Sequence, residues 1–560
     1  MQRRTKGTPA RGAGGSARRA GEAALAEVTV LPSLHPSRRG PMSGSGLEPL
    51  PAEDVDVLAV AVAPSPDPEH EEDGDGAAAR PVPEPRLGAV EAAVRYGADA
   101  AARALAAGMS GRAGELLVIE PPRGREDLPA RLFLVGTGDE GPAALRRAGA
   151  ALARATLGAR RIRTTVVDGL EPDRQRAFLE GFQLGGYRVP SAAAAAGPEI
   201  AERLEVTGLD PDAATRAHAT ARAVWLARDL TNTPPNTATP AWLAEQAEAV
   251  GRAAGLETEV LCPEELAARG FGGLLAVGSG SVHPPRLARL SYRPQHAEGT
   301  EPPHLVLVGK GISFDSGGLS LKPRDSMMSM KTDMAGAAVA LAVVQAAAAL
   351  RLPVRITSVL ALAENLPGAD AYRPGDVVRT FDGTTVEIGN TDAEGRIVLA
   401  DALAWAAQEL EPDLLVDIAT LTGAAQLGLG NRYGALFGSE SHVLDALVEA
   451  GERSGEPLWP LPLVPEYAAV LDSAVADTGH VAPPGAKVGG GAIIAALFLQ
   501  KFTGGAPWAH LDIAGPARAG ADHAENPKGA TGFGTRVLLS YLETLSGGLL
   551  QGQGQGSGAD

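Results

Sequence analysis

Short apolar runs alternate with alanine-rich stretches along most of this chain, and that alternation restricts the possible folds more than any other feature. Runs at 56–63, 115–119, 131–135 and 164–168 are followed, after a break, by others at 304–308, 354–361, 413–419 and 508–513. Strands of this length separated by helical stretches indicate an α/β fold. We expect an N-terminal α/β domain joined by a linker helix to a larger α/β domain with a mixed central sheet flanked by helices. The boundaries read as a disordered leader over 1–50, the first domain over 51–195, a linker and connecting helix over 196–228, the second domain over 229–545 and a flexible tail over 546–560. The connecting helix covers about 210–228, and the paired prolines of TNTPPN at 231–236 keep that segment out of helix.

Composition narrows the possible functions. The 560 residues suffice for two cores. A formal charge of −17 weighs against nucleic acid or an anionic membrane as the main partner. Cys262 is the only cysteine. It excludes an intrachain disulfide, fits a reducing cytoplasm and reads as a small buried hydrophobe. No stretch of roughly 18 apolar residues is free of charges and turn formers, so no membrane span is expected. The Arg-rich leader lacks the apolar centre of a secretory signal. It imitates a transit peptide, but reads as a disordered extension or as sequence upstream of a start at Met42.

Two look-alike motifs carry little. The acidic stretch at 64–85 is a solvated insertion; His70-Glu71 opens like a zinc-protease motif, but Gly74 stands where the second His belongs. GTGDEG at 136–141 matches a dinucleotide fingerprint in spacing only. Pro142 follows it directly and no acidic residue ends a second strand, so it reads as a tight strand-to-helix turn.

Three segments of the second domain hold the chemistry. VGKGISFDSGGLSLKP at 308–323 follows a buried strand, and its glycines suit a loop that brings backbone close to a ligand. MKTDMAGAA at 330–338 opens a small-residue helix. GNTDAEGR at 389–396 lies between a hairpin turning at Asp382-Gly383 and a helix from about 397. In extended chain Asp392 and Glu394 would share a side and meet one cation or bridge two. Asp315, Asp333, Asp392 and Glu394 bring four negative charges, which two divalent ions would balance. This oxygen-rich set suits Mn²⁺ or Mg²⁺, and Zn²⁺ where a nitrogen joins. Lys310 is that nitrogen if neighbouring cations hold its amine neutral.

These segments resemble the leucyl aminopeptidases, also called cytosol aminopeptidases, a dinuclear-metal family of the M17 type. NTDAEGR at 390–396 is the family signature, and similar stretches recur at 232–236 (NTPPN), 417–424 (DIATLTGA), 489–502, 508–515 (WAHLDIAG) and 529–536. The resemblance covers about 210–545 well, 50–190 loosely, and the leader and tail not at all. It implies metal ligands at Lys310, Asp315, Asp333, Asp392 and Glu394. A tighter site would use Lys310, Asp315, Asp333 and Glu394, and a more exchangeable one Asp315, Asp392 and Glu394, with Asp315 and Glu394 bridging. It implies that Lys322 and Arg396 are catalytic, and that Met330 and the loop of Thr420, Leu421, Thr422 and Gly423 form pocket walls.

The resemblance further implies two divalent ions per subunit, Mn²⁺ or Zn²⁺, about 3.5–4 Å apart and sharing a water. Lys322 would stabilise the oxyanion. Arg396 cannot act as a base, and would hold a bicarbonate that moves the proton. Peptides with Leu or another apolar N-terminal residue, peptide turnover in the cytoplasm and a homo-hexamer complete the implied picture. The chain departs from the family after Ala476-Asp477. Asn is usual there, whereas Thr478-Gly479-His480 follows, and His480 reads as a loop residue, not a ligand. A DNA-binding regulator is disfavoured by the charge. Another two-metal hydrolase, such as a phosphatase, is disfavoured by the lysine donor and NTDAEGR.

Overall fold

The computed structural model describes residues 25–34, 55–65, 82–190, 197–296, 301–486 and 488–545. Most of the expected leader, His70-Glu71 with the centre of the acidic insertion, and the expected tail lie outside these residues.

The first domain carries β1 (Glu27–Leu31), β2 (Val57–Pro64), β3 (Pro83–Pro85), β4 (Leu116–Ile119), β5 (Arg131–Gly136), β6 (Arg161–Thr164) and β7 (Arg203–Thr207). The strand order is β1-β7-β6-β2-β5-β4, with β3 on β2. β2 is apolar throughout because both of its faces are covered. Leu58, Val60 and Val62 share a core with α1 (Ala89–Arg95) and α2 (Ala100–Ala106). Val57, Ala59 and Ala61 share another with α3 (Pro142–Ala155), α4 (Pro172–Gly185) and α5 (Pro211–Asn232). The turn at 136–141 is structural: a Cβ on Gly136 would lie 2.1 Å from Arg112 O.

Several expectations on this side of the chain need correction. Residues 27–31, placed in the disordered leader, form a strand paired in parallel with β7, upstream of Met42. The Asp168 carboxylate fixes the chain just beyond it, accepting from Leu34 N at 2.6 Å and from Ser33 Oγ. β7 itself lies within the expected linker. The strand expected at 164–168 ends at Thr164, because Val166 N turns back onto Thr164 Oγ1 at 3.1 Å. α5, capped by Asp210, runs on to Asn232 before the paired prolines stop it. It is no mere connector. Val224 and Trp225 enter the first domain's core, while Leu226, Ala227 and Leu230 enter the second's.

The second domain runs through α6 (Pro240–Ala254), β8 (Glu257–Leu261), α7 (Pro263–Arg269), α8 (Gly272–Gly278), β9 (Arg286–Tyr292), β10 (His304–Asp315) and α9 (Arg324–Met327). A 3₁₀ turn (Met330–Met334) leads into α10 (Ala335–Ala349), β11 (Arg355–Asn365), β12 (Val377–Arg379), β13 (Thr385–Glu387), α11 (Glu394–Leu410) and β14 (Leu414–Ala419). The chain closes with α12 (Gly423–Leu429), β15 (Gly434–Gly438), α13 (Ser441–Ser454), β16 (Leu458–Pro460), β17 (Thr478–Gly479), α14 (Gly491–Gln500), β18 (Trp508–Asp512) and α15 (Thr535–Leu545). The main sheet has the order β16-β15-β18-β14-β10-β11-β9-β8. It is mixed, as expected: β10 runs parallel to β11 and β14, while β9 is antiparallel to β11 and β15 to β18.

The chain leaves β10 over one face through α10 to β11, and returns over the other through α11 to β14. That reversal opens a crevice at the carboxyl end of β10, where open α/β sheets bind ligands. Small residues let the layers close tightly there. A Cβ on Gly336 would lie 2.1 Å from Ile418 O, and one on Gly309 2.6 Å from Ala337 Cα.

One apolar segment and two smaller corrections remain. The helical segment Met330–Ala349 is long enough to cross a membrane and holds an 18-residue window with a mean hydropathy of 1.5, but 83% of that window is buried in this fold. Its composition reflects its place in the core. Cys262 is half-exposed at the start of α7, where its N–H donates to Glu265 Oε2 at 2.8 Å. The turn at Asp382-Gly383 is wider than two residues, since Arg379 pairs with Thr385.

Candidate active site

The crevice gathers the three sequence segments by three different devices. β10 does not stop where the apolar run ends. It continues through Lys310 to Asp315, so both residues stand on a strand and not on the expected loop. Register with β11 shifts between Ile312 and Asp315, which releases Asp315 at the strand end. Asp333 comes from the 3₁₀ turn just before α10. Asp392 and Glu394 are not in extended chain. Ala393 has φ −107° and ψ 37°, and Glu394 opens α11, so the turn brings the two carboxylates together.

Lys310 is 3% exposed, and acceptors surround its ammonium group. Nζ lies 2.8 Å from Asp333 Oδ1 and 2.9 Å from Glu394 Oε1, and donates to Thr420 O at 2.9 Å. Burial alone would lower its pKa, but Asp333, Glu394 and Asp315 outweigh burial and hold it above the ordinary lysine value. Lys322 Nζ sits 2.9 Å from Asp315 Oδ2 and also contacts Asp392 Oδ1. Its pKa is raised too, as Asp315, Asp392 and Glu394 overcome desolvation.

The carboxylates are crowded. Oxygens of Asp315, Asp392 and Glu394 all lie within 4.8 Å of one another. Burial raises the pKa of Asp333 well above the usual range; Lys310 opposes that, while Glu394 and Asp315 add to it. Burial, then Glu394, raises Asp315 against the pull of Lys322 and Lys310, and burial is also the main cause for Asp392. Asp333 Oδ2 is buried with no hydrogen-bond partner among the described residues. Its Oδ1 also accepts from Thr420 Oγ1 at 2.7 Å.

Arg396 lies in the first turn of α11, buried, and donates from Nη1 to His480 O at 2.6 Å. Its Nε has no partner among the described residues. Burial pushes its pKa down to about 10, against the pull of Glu394 and Asp512, so it remains charged at neutral pH. Of the expected pocket residues, Met330 opens the 3₁₀ turn that carries Asp333. Thr420 faces Lys310 and Asp333. Leu421 N and Thr422 Oγ1 bind Asp512, at 3.0 and 2.6 Å, so this part of the loop is clamped to β18. Gly423 begins α12, with open space where a Cβ would stand.

Several supporting residues escaped sequence reasoning. Asn365 Nδ2 donates to Asp315 Oδ1 (2.8 Å) and to Thr391 O (2.9 Å), tying the first segment to the third. Tyr372 OH reaches the same carbonyl at 2.9 Å. Thr391 Oγ1 donates to Gly317 O at 2.7 Å and accepts from Ser320 N at 2.8 Å. The signal for Thr391 was its place in NTDAEGR; for Asn365, a polar residue ending an apolar strand. His480 stands in a bend after β17, as expected of a loop residue, but is fully buried.

Comparison with known proteins gives the family. The profile described as "Cytosol aminopeptidase family, catalytic domain" matches residues 225–539, and its N-terminal domain counterpart matches 92–191. The chain belongs to the cytosol aminopeptidase family. A probable cytosol aminopeptidase of Leifsonia xyli is 44% identical over 467 residues, covering 80% of this chain and 91% of the relative. One from Streptomyces coelicolor is 42% identical over 474 residues, covering 79% and 89%. Among solved structures, the bottromycin maturation enzyme BotP in complex with Mn aligns with a TM-score of 0.75 at 38% identity, covering 88% of this chain and all of that one. Membership of the cytosol aminopeptidase family makes the chain a metal-dependent aminopeptidase, and the acidic cluster fits divalent cations.

Proposed function

We propose that this enzyme removes the N-terminal residue of peptides with two divalent cations held by Lys310, Asp315, Asp333, Asp392 and Glu394. The observation that carries this reading is the meeting of Asp315, Asp392 and Glu394 oxygens within 4.8 Å. Beside them stands Asp333, whose Oδ2 has no partner among the described residues. Four carboxylates face only two ammonium groups here, a formal surplus of two negative charges (4 − 2) that cations would relieve. With its amine deprotonated beside the cation, Lys310 would hold one ion together with Asp315, Asp333 and Glu394, and Asp315, Asp392 and Glu394 would hold the other. Mn²⁺ or Zn²⁺ suits that donor set.

Such ions, when bound, activate a water and polarise a carbonyl. The remaining tasks fall to the chain. Lys322, held on Asp315 and Asp392, offers its ammonium protons to the oxyanion that develops on the scissile carbonyl. Arg396 is cationic and sits in the first turn of α11, near the helix's positive end, so it suits a small anion such as bicarbonate that can carry a proton. Met330 and the loop of Thr420, Leu421, Thr422 and Gly423 wall the pocket for an apolar side chain. Leu is the preferred residue, with discrimination of only about 1–3 kcal/mol. A homo-hexamer acting in cytoplasmic peptide turnover is the setting we assign, on family resemblance and the relatives' name.

The test is a pair of substrates. A leucine anilide should be cleaved, and the same anilide with its α-amine acetylated should not. Equal rates on both would remove the exopeptidase reading.

A further inference from the structure

We infer that His480 is a positioning residue that holds the metal-ligand turn at 390–392 and the Arg396 guanidinium in register. The inference rests on the proposed roles of Asp392 and Arg396, and goes beyond them by giving a task to a residue that belongs to neither the ligand set nor the catalytic pair.

His480 follows β17, which pairs in parallel with β13 through Val386↔Thr478 and Glu387↔Gly479. That pairing delivers the ring to the base of the NTDAEGR turn. Nε2 lies 3.0 Å from Asn390 O, and Nδ1 lies 3.1 Å from Glu387 O and 3.3 Å from Gly389 N. The residue's own carbonyl accepts from Arg396 Nη1 at 2.6 Å. Among the described residues this is the only hydrogen bond made by that guanidinium. The ring stands edge-on to Phe498 of α14, with centroids 6.4 Å apart and planes at 71°. A fully buried residue anchored by strand pairing and an aromatic neighbour therefore touches both the entry to the ligand turn and the arginine one helical turn beyond it.

The protonation state fits the task. Burial, with Arg396 adding to it, pushes the pKa of His480 down to about 4, so the ring is neutral near pH 7. A neutral imidazole has one N–H, which donates either from Nε2 to Asn390 O, leaving Nδ1 to accept from the Gly389 N–H, or from Nδ1 to Glu387 O. The ring thus acts as a fixed spacer between two backbone groups of the turn.

The test uses the full-length chain and the variants His480→Gln and His480→Met. Gln keeps an amide donor in reach of Asn390 O; Met fills the space without one. His480→Leu replaces the Met variant if that one does not fold by circular dichroism. Calorimetric titration with Mn²⁺ and turnover of a leucine anilide are measured in each, alone and in an Arg396→Ala background. The expected losses for His480→Met are about tenfold or more in affinity for the weaker-bound ion and in kcat, with KM changed less than about twofold. His480→Gln should stay within about threefold of wild type. In the Arg396→Ala background, the further kcat loss from His480→Met should be under about threefold. Wild-type Mn²⁺ affinity in the Met variant, equal impairment by Gln and Met, or a full additive kcat loss beside Arg396→Ala would each overturn the inference. A wild-type protein that binds Mn²⁺ but leaves the anilide intact would remove the aminopeptidase reading alone, and the Mn²⁺ titration would still decide the role of His480.

Discussion

Gly395 lies against Lys310 so closely that a Cβ on residue 395 would sit 2.5 Å from Lys310 Cε and 2.6 Å from its Nζ. The first turn of α11 settles on the lysine because nothing projects there, and that contact carries Glu394 to within 2.9 Å of the same nitrogen.

Gly395→Ala should therefore damage function more than stability. The lysine tip can swing aside, whereas Ala in a helix recovers about 0.5–1 kcal/mol over Gly. Moving Lys310 off Asp333 and Glu394 would displace the proposed ligand by roughly an ångström, which costs on the order of 100-fold in rate. The expected outcome is a fall of that size in kcat/KM with a urea midpoint near wild type. A stable variant with unchanged kcat/KM would separate Lys310 from the chemistry.

Gly336→Ala should do the opposite. Its Cβ would meet Ile418 O at 2.1 Å, where the backbone of α10 packs on the backbone of β14. No side chain can yield there, so α10 must lift from the sheet. A loss of about 3 kcal/mol or more is expected in urea unfolding.

Lys322→Ala should lower kcat by roughly 10²–10³-fold with a small change in KM, as expected for a donor whose main contact forms in the transition state. Steady-state kinetics on a leucine anilide checks the split. A rise in KM at constant kcat would make Lys322 a binding group.

His480 gives a pH signature. Its pKa falls from 6.5 to about 4 on folding, so the unfolded chain takes up a proton that the folded chain refuses. The stability it supports is complete above pH 6.5 and is lost as pH falls toward 4. Between pH 7 and pH 5 the stability margin of wild type over His480→Gln should shrink by about 2 kcal/mol, measured by urea unfolding at each pH. Asp401 acts in the other direction. Burial raises it from 3.8 to about 7, although the N–H groups of Leu274 and Phe381 donate to it at 2.8 and 2.9 Å. Its burden on stability eases as pH falls through 7, and it is common to both proteins.

The layered α/β fold and the candidate ligands were legible because each left a local mark. Apolar runs marked the strands, and Asp and Glu among glycines marked the site. Where local marks ended, reading failed. β1 sits in a low-complexity leader, and only its pairing with β7 reveals it. The extension of β10 through Lys310 to Asp315 was hidden because glycines at 309 and 311 read as loop, when they serve the approach of α10 and β11. Asp392 and Glu394 were paired by the wrong geometry: a turn and a helix start join them, not an extended strand. Asn365, Tyr372 and His480 are far from NTDAEGR in sequence, and tertiary contacts alone bring them beside it.

The central claim is a dinuclear metal site bounded by Lys310 and Arg396. It is tested most directly by metal content and leucine anilide turnover in one preparation, chelated and then reloaded with Mn²⁺, for wild type and Glu394→Gln. Activity should vanish on chelation and return as two Mn²⁺ bind per chain, while Glu394→Gln should hold less metal and lose most turnover. Full activity in the metal-free protein, or near-normal metal content and rate in Glu394→Gln, would contradict it.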